Sequence, residues 1–206
     1  MKPTFQPLKS LLNLRSGIPS RDLKARDVQD AEATAPAQLV TPSCLSDGLV
    51  RPDLVASVRL SVGVIGRHSL HKGDVVVSSR GEFLAGLVGG EASLQASTPP
   101  FIAGPLCHVL SAAPWSPILP EFIVWLLGTE YSKQQMAADA RGSATSLYSL
   151  ETIGNLQVPI LTIERQKAIA DAAKAAQVLR EARLALAETE TQAHNHDLCR
   201  LAGLNA

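Results

Sequence analysis

A chain of 206 residues with 19 Lys and Arg against 19 Asp and Glu has no formal net charge, which argues against a dedicated non-specific nucleic-acid binder; any such contact must come from local clustering of cations or from a basic partner. The length fits one domain with an appendage, or one larger domain, and is enough to bury a core without staples. The cysteines Cys44, Cys107 and Cys199 are odd in number and form no C-x-x-C pair, no signal peptide is evident, and the longest apolar stretch (Phe122 to Leu127) is too short to span a bilayer, so a cytoplasmic chain with reduced, structural thiols and no membrane association is expected.

Leu8 to Leu14 is a short apolar–polar segment ending at Ser16-Gly17-Ile18-Pro19. Arg21 to Ala37 is charged, then alanine-rich, and closes at Pro36, which suits a short helix or a mobile loop. From Gln38 the pattern turns to β. A turn falls at Asp47-Gly48, and the β-branched runs Val55 to Val58, Leu60 to Ile65 and Val75 to Val77 are broken by Gly and Pro. Lys72-Gly73-Asp74 turns into Val75-Val76-Val77, a short buried strand, and Leu84 to Val88 and Phe101-Ile102 read as further strands. Residues 38–110 are therefore expected to form a compact, mostly β region.

Pro120 opens a helix, since proline suits the first turn and Glu121 beside it suits the positive end of the dipole. Phe122, Val124, Trp125, Leu126 and Leu127 give it a wide apolar face, and it resumes after Gly128 through Tyr131 to Ala140. Arg141-Gly142-Ser143-Ala144-Thr145-Ser146 is a small polar loop. Leu147 to Leu156 contains a short helix with Ser149 as N-cap and Glu151 in its first turn. Val158-Pro159-Ile160 is extended because proline pushes its predecessor to β geometry. Thr162 caps a long helix whose run from Gln166 to Gln192 is dominated by Ala, Leu, Glu, Lys and Arg. Ile169, Ala172, Ala173, Ala176, Leu179 and Leu186 form an apolar stripe at helical spacing, and its alanines let another helix approach closely. The expected fold class is α+β: a compact β-rich domain with flanking helices over residues 1–160, then one long C-terminal helix over residues 161–206.

The sequence contains no G-x-G-x-x-G, Walker loop, H-E-x-x-H or G-x-S-x-G, and no nucleophile stands out. His194 and His196 are two apart and lie on different faces of a helix; His68 and His71 fall where strand and turn are expected; His108 stands alone. No metal site or bound cofactor is expected. Between Arg51 and Arg80, five cations (Arg51, Arg59, Arg67, Lys72, Arg80) interleave with His68, His71 and two anions (Asp53, Asp74). That suits a DNA-facing surface, although scattered surface charge of this kind is usually just solvated, and taken alone it favours an ordinary sheet face. The loop from Arg141 to Ser146 offers glycine for close approach to phosphate, hydroxyl donors and an arginine, although taken alone it reads first as a helix-ending loop with Gly142 at the C-cap.

Three segments, in order and spacing, resemble the specificity subunits of type I restriction–modification enzymes. His71-Lys72-Gly73-Asp74-Val75-Val76-Val77-Ser78-Ser79-Arg80-Gly81 is similar to that family's G-D-(apolar)₃-S-x-R-G strand. Leu119-Pro120-Glu121-Phe122-Ile123-Val124-Trp125-Leu126-Leu127 resembles its L-P-E helix. Gly142-Ser143, Leu147 to Leu150, Ile153 to Pro159 and Glu164-Arg165-Gln166-Lys167-Ala168-Ile169-Ala170 resemble its G-S…L-x-x-L-x-(I/V)-P, E-x-Q-x-x-I series. The resemblance covers residues 40–180, weakly from Val40 to Leu60. It departs at Leu161, where the family usually has a second proline, and in having one recognition domain and one long helix where full-length members have two of each.

The resemblance implies a half-length specificity subunit whose β-rich target recognition domain reads double-stranded DNA in the major groove. Its long helix would pair with a mate in a homodimer, or with another half, as a ruler between two half-sites of an inverted, bipartite target. Adenine methyltransferase subunits, which hold S-adenosylmethionine and flip adenine, would dock on the helices, with a restriction or translocase subunit as a further partner. The chain itself would be non-catalytic. Arg67, His68, Ser78, Ser79, Arg80, Arg141, Ser143 and Thr145 are the expected DNA-facing residues. Ile169, Ala173, Ala176 and Leu179 are the expected helix-pairing residues; the same spacing would serve a helix packed on its own domain. An assembly subunit that does not read DNA, and an enzyme with an unrecognised site, remain as other classes; neutral charge favours the first.

Overall fold

The computed structural model describes residues 4–24, 33–89, 99–113, 116–139 and 147–204. The chain divides into two compact units, Met1–Lys167 and Ala168–Ala206. In the first unit, β1 (Thr4–Pro7), β2 (Leu12–Ser16) and a short α1 (Ser20–Lys24) precede β3 (Thr34–Val40), β4 (Leu45–Ser46), β5 (Leu49–Val50) and β6 (Ala56–Ser61). Then come α2 (Val62–His68), β7 (Val75–Ser78), β8 (Ala85–Leu87), β9 (Phe101–Ala103) and β10 (Cys107–Ala112). Helices α3 (Pro120–Leu127), α4 (Glu130–Asp139) and α5 (Leu150–Gly154) are followed by β11 (Gln157–Ile160) and the long α6 (Ile163–Leu201). A β-rich domain with flanking helices and one long C-terminal helix is thus the observed fold class.

The strands make a six-stranded sheet in the order β2-β10-β7-β8-β5-β4, a three-stranded sheet β6-β3-β9, and the antiparallel pair β1-β11. Val76, Cys107 and Val109 of the large sheet meet Val40, Phe101 and Ala103 of the small one in a single buried cluster, so the core lies between the two sheets. A second cluster, Ile18, Ala37, Leu39, Leu60, Val64 and Ile102, packs α2 on the small sheet. Val75, Val76 and Val77 are all buried, which explains their unbroken apolar run: β7 is an interior strand, and both of its faces are covered. Each such valine stabilises the fold by about 1.5–3 kcal/mol through burial. Asp47 and Gly48 both take positive φ (53° and 72°) between β4 and β5, the backbone a two-residue type I′ hairpin demands and Asp-Gly supplies.

Three expectations change. Leu60 to Ile65 is not one strand: β6 ends at Ser61, whose hydroxyl accepts from Val64 N–H at 3.3 Å and caps α2, so His68 is helical. Burial of Val64 overrides the poor helix propensity of Val, Gly and Ile there. The segment from Arg21 to Ala37 is neither one helix nor one loop. It opens in α1 and ends in β3, while residues 25–32 lie outside the described ones. Pro36 is tolerated in β3 because β9 pairs only from Gln38 onward, leaving Pro36 a single neighbouring strand. The N-terminal segment, finally, supplies two strands, with β1 pairing β11 across most of the first unit.

Candidate functional site

Chemistry-bearing groups lie at both ends of β7: Arg15, His71, Asp74 and Ser111 meet where it begins, and Ser16, Ser79, Arg80 and His108 lie where it ends and β10 begins. Part of the motif expected to form a recognition surface holds the fold instead. Asp74 is 5% exposed; its carboxylate accepts from Ser111 Oγ at 2.7 Å and from His71 N–H at 2.9 Å, and faces Arg15 Nη2 at 3.9 Å. Ser78 is fully buried: its hydroxyl donates to Glu82 O at 2.6 Å and accepts from Leu84 N–H at 2.9 Å. Ser78 therefore has no group to offer a nucleic acid and leaves the expected DNA-facing set. The G-D…S pattern marks a strand stapled at both ends, because a short buried strand must satisfy the polar groups of its turns internally.

Ser79 is half-buried and Arg80 exposed, one after the other at the end of β7. Arg67 is exposed and His68 half-buried at the end of α2. Arg141, Ser143 and Thr145 lie outside the described residues. The two described groups are linked through residues the sequence did not single out. Arg15 of β2 donates to the carbonyls of His68 and Ser69 at 3.5 and 3.1 Å, a cation placed on the negative end of α2. Beside it in β2, Ser16 Oγ lies 3.4 Å from His108 Nδ1, and His108 Nε2 bonds Tyr148 O at 2.9 Å. Tyr148 N–H donates to Ser79 O at 2.9 Å. Arg15, Ser16 and Tyr148 had no sequence signal beyond their type. His108 drew notice only as a lone imidazole.

Both histidines here are held below their ordinary value of 6.5: His108 by burial, partly offset by its bond to the Tyr148 carbonyl, and His68 by burial and by Arg15 and Arg67, partly offset by Asp22. The unfolded chain thus takes up protons more readily than the folded one as pH falls through 6.5. Stability is full above that pH and is lost as pH falls through the lowered folded values. Urea melts at about pH 7.5 and about pH 5.5 should show the loss, and His108→Gln should flatten part of it. A pH-independent melt would contradict both shifts.

Burial, reinforced by neighbouring Cys44, pushes the Cys107 thiol up to about 12, so it is protonated at neutral pH and no nucleophile. All three cysteines are free. Among the described residues, no His, Cys, Asp and Glu side chains group as metal ligands, and no helix is long and apolar enough to cross a membrane.

Within the second unit, α6 presents a shallow apolar groove along one face, lined by Asp171, Lys174, Ala175, Val178, Leu179 and Ala182. Of the expected pairing residues only Leu179 lines it; Ala176 is exposed off that face, and Ile169 and Ala173 are half-buried.

No protein-family signature and no curated protein matches the sequence. Solved structures match in fold, and the fold is that found in S subunits of type I restriction–modification systems. In particular, the chain aligns over 97% of its length with 48% of a chain from a structure of type I complex assembly and conformational transition (TM-score 0.67, 16% identity). It aligns over 92% of its length with 46% of the HsdS subunit from Thermoanaerobacter tengcongensis (0.58, 18%). It also aligns over 93% of its length with 46% of the type I S subunit from M. genitalium (0.53, 15%). The chain spans about half the length of the solved chains it matches.

Proposed function

We propose that this chain is a half-length specificity subunit of a type I-like restriction–modification complex, or of a related phage-defence methyltransferase complex, and that it selects the DNA sequence on which its partners act. The observation that carries this reading is the match of nearly the whole chain, domain and helix together, to one half of a type I chain. The first unit is then the target recognition domain and α6 the element for dimer and methyltransferase docking. DNA contact falls to Arg67, His68, Ser79 and Arg80, together with Arg141, Ser143 and Thr145, which lie outside the described residues. Two copies restore the two-fold arrangement of a full-length subunit, so the target is inverted and bipartite. Adenine methyltransferase subunits bring S-adenosylmethionine, a restriction or translocase subunit completes the complex, and this chain adds no catalysis.

Methylome sequencing of cells with and without the chain tests the reading. Deletion should erase adenine methylation at one bipartite motif; an unchanged methylome, with no methyltransferase co-purifying, overturns it. The dimer is tested separately. Light scattering should show two copies for the wild type and one for the double substitution Val178→Glu with Leu179→Glu, since two carboxylates on the apolar groove oppose helix pairing. A monomeric wild type removes the homodimer from the proposal.

A second reading, an assembly subunit that does not touch DNA, is favoured by the zero net charge. DNA affinity falling steeply with salt would count against it.

A further inference from the structure

The turn after β7 is pinned from outside its own hairpin. Tyr148 N–H donates to Ser79 O at 2.9 Å, and Tyr148 Oη donates to Gly81 O at 3.2 Å. Its ring meets Phe83 edge-on, centroids 4.9 Å apart. Leu147 and Arg80 form an isolated antiparallel bridge. Tyr148 is held in its turn by the His108 imidazole at 2.9 Å, itself beside Ser16 Oγ. Positions 79, 80, 81 and 83 are thus each touched by Leu147 or Tyr148. An exposed turn containing a glycine at φ 80° would otherwise be among the looser parts of a domain. Yet the Arg80 side chain is exposed and, among the described residues, makes no hydrogen bond or ion pair. A fixed backbone beneath an exposed guanidinium is the arrangement a bidentate contact requires, because a base edge accepts that fork in only one register.

We propose that Tyr148, oriented by His108, is a positioning residue that fixes the Ser79–Gly81 turn so that Arg80 meets DNA in one register, an inference that rests on the DNA-recognition reading above. Tyr148 then governs discrimination between sequences and leaves general affinity, which depends on charge, unaltered.

The test uses the full chain, with its methyltransferase where one co-purifies, against a randomised duplex library, together with backbone hydrogen exchange. In the wild type a motif should be enriched, and the amides of the turn and of Tyr148 should exchange slowly. Tyr148→Phe removes one hydroxyl and keeps the ring; it should lower the ratio of specific to non-specific binding about fivefold, the worth of one hydrogen bond, with non-specific affinity unchanged. His108→Ala should behave similarly, while His108→Gln, whose amide N–H can replace Nε2, should restore discrimination. Arg80→Ala should lose discrimination while the turn stays protected. The proposal is overturned if Tyr148→Phe and His108→Ala select the motif as sharply as the wild type while Arg80→Ala does not. It is also overturned if they weaken all duplexes equally and melt earlier in proportion, which marks a merely structural contact. If the wild type selects no duplex although its turn is protected, the DNA reading has failed and the pin serves only the fold.

Discussion

Gly17→Ala should destabilise the first unit severely. A Cβ at position 17 would sit 2.0 Å from the carbonyl oxygen of Gly104, 2.7 Å from that of Ala103 and 2.9 Å from the Gly104 carbonyl carbon. All three obstacles are backbone, so no side chain can swing aside. The backbone is also committed: Gly17 N–H donates to Cys107 O, Ile18 N–H to Ala103 O and Gly104 N–H to Val40 O, at 2.9, 2.9 and 2.8 Å. These bonds join β2, through the chain that follows it, to the seam between the two sheets, and Ile18 is fully buried beside them. Relieving the overlap means opening that seam, a cost of about 4 kcal/mol or more against a total stability of about 5–15 kcal/mol. Gly66→Ala is the control. It lies inside α2 with nothing within 4 Å of a new Cβ, and should stabilise by about 0.5–1 kcal/mol. Urea melts followed by circular dichroism separate the two; a Gly17→Ala protein with wild-type stability would show that the close approach is absent.

Gln166→Glu should be nearly as damaging, although it changes one atom. Gln166 is 0% exposed. Its Oε1 accepts from Leu119 N–H at 2.8 Å, and its Nε2 donates to Pro117 O at 2.7 Å and to Leu161 O at 2.9 Å. Glutamate keeps the acceptor but turns an oxygen, and a buried charge, toward two carbonyls. An uncompensated buried charge costs about 3–5 kcal/mol. The carboxyl would be driven above its ordinary pKa of about 4.3, so stability would be best retained below that value and lost as pH rises through the folded one. Gln166→Leu, which leaves the same three backbone groups unpaired, should cost about 3 kcal/mol at every pH. Melts of both variants across pH decide it: a pH-independent Gln166→Glu would mean the side chain is not enclosed.

Gln166 also shows why much of the fold was legible and its anchors were not. Patterns carried by one segment read directly: the buried run of β7, proline at the head of α3, Ser149 capping α5 by accepting from Thr152 N–H, and the proline-free α6. What failed depends on partners far along the chain. Strand β3 holds Pro36 because β9 leaves that stretch uncovered, and α2 forms from Val, Gly and Ile because Val64 is buried against the small sheet. In the candidate site, Arg80 and Arg67 were readable as exposed cations near turns. Ser78, two residues before Arg80 in the S-x-R-G stretch, carries no local sign that its hydroxyl closes a turn. The contact between Tyr148 and His108 has no local signature because it spans 40 residues. The L-P-E and E-x-Q motifs proved to be one feature: Gln166 hydrogen-bonds the backbone just ahead of Pro120.

The pairing of β1 with β11 has a consequence for synthesis. Thr4 lies opposite Ile160, and Leu8 N–H donates to Leu156 O at 2.9 Å. Once made, β1 therefore waits for nearly the whole domain to leave the ribosome before it finds its neighbour. At about 5–20 residues per second, that leaves an open strand edge exposed for several seconds or more. Pro7, which has no N–H to offer, blunts that edge during the wait.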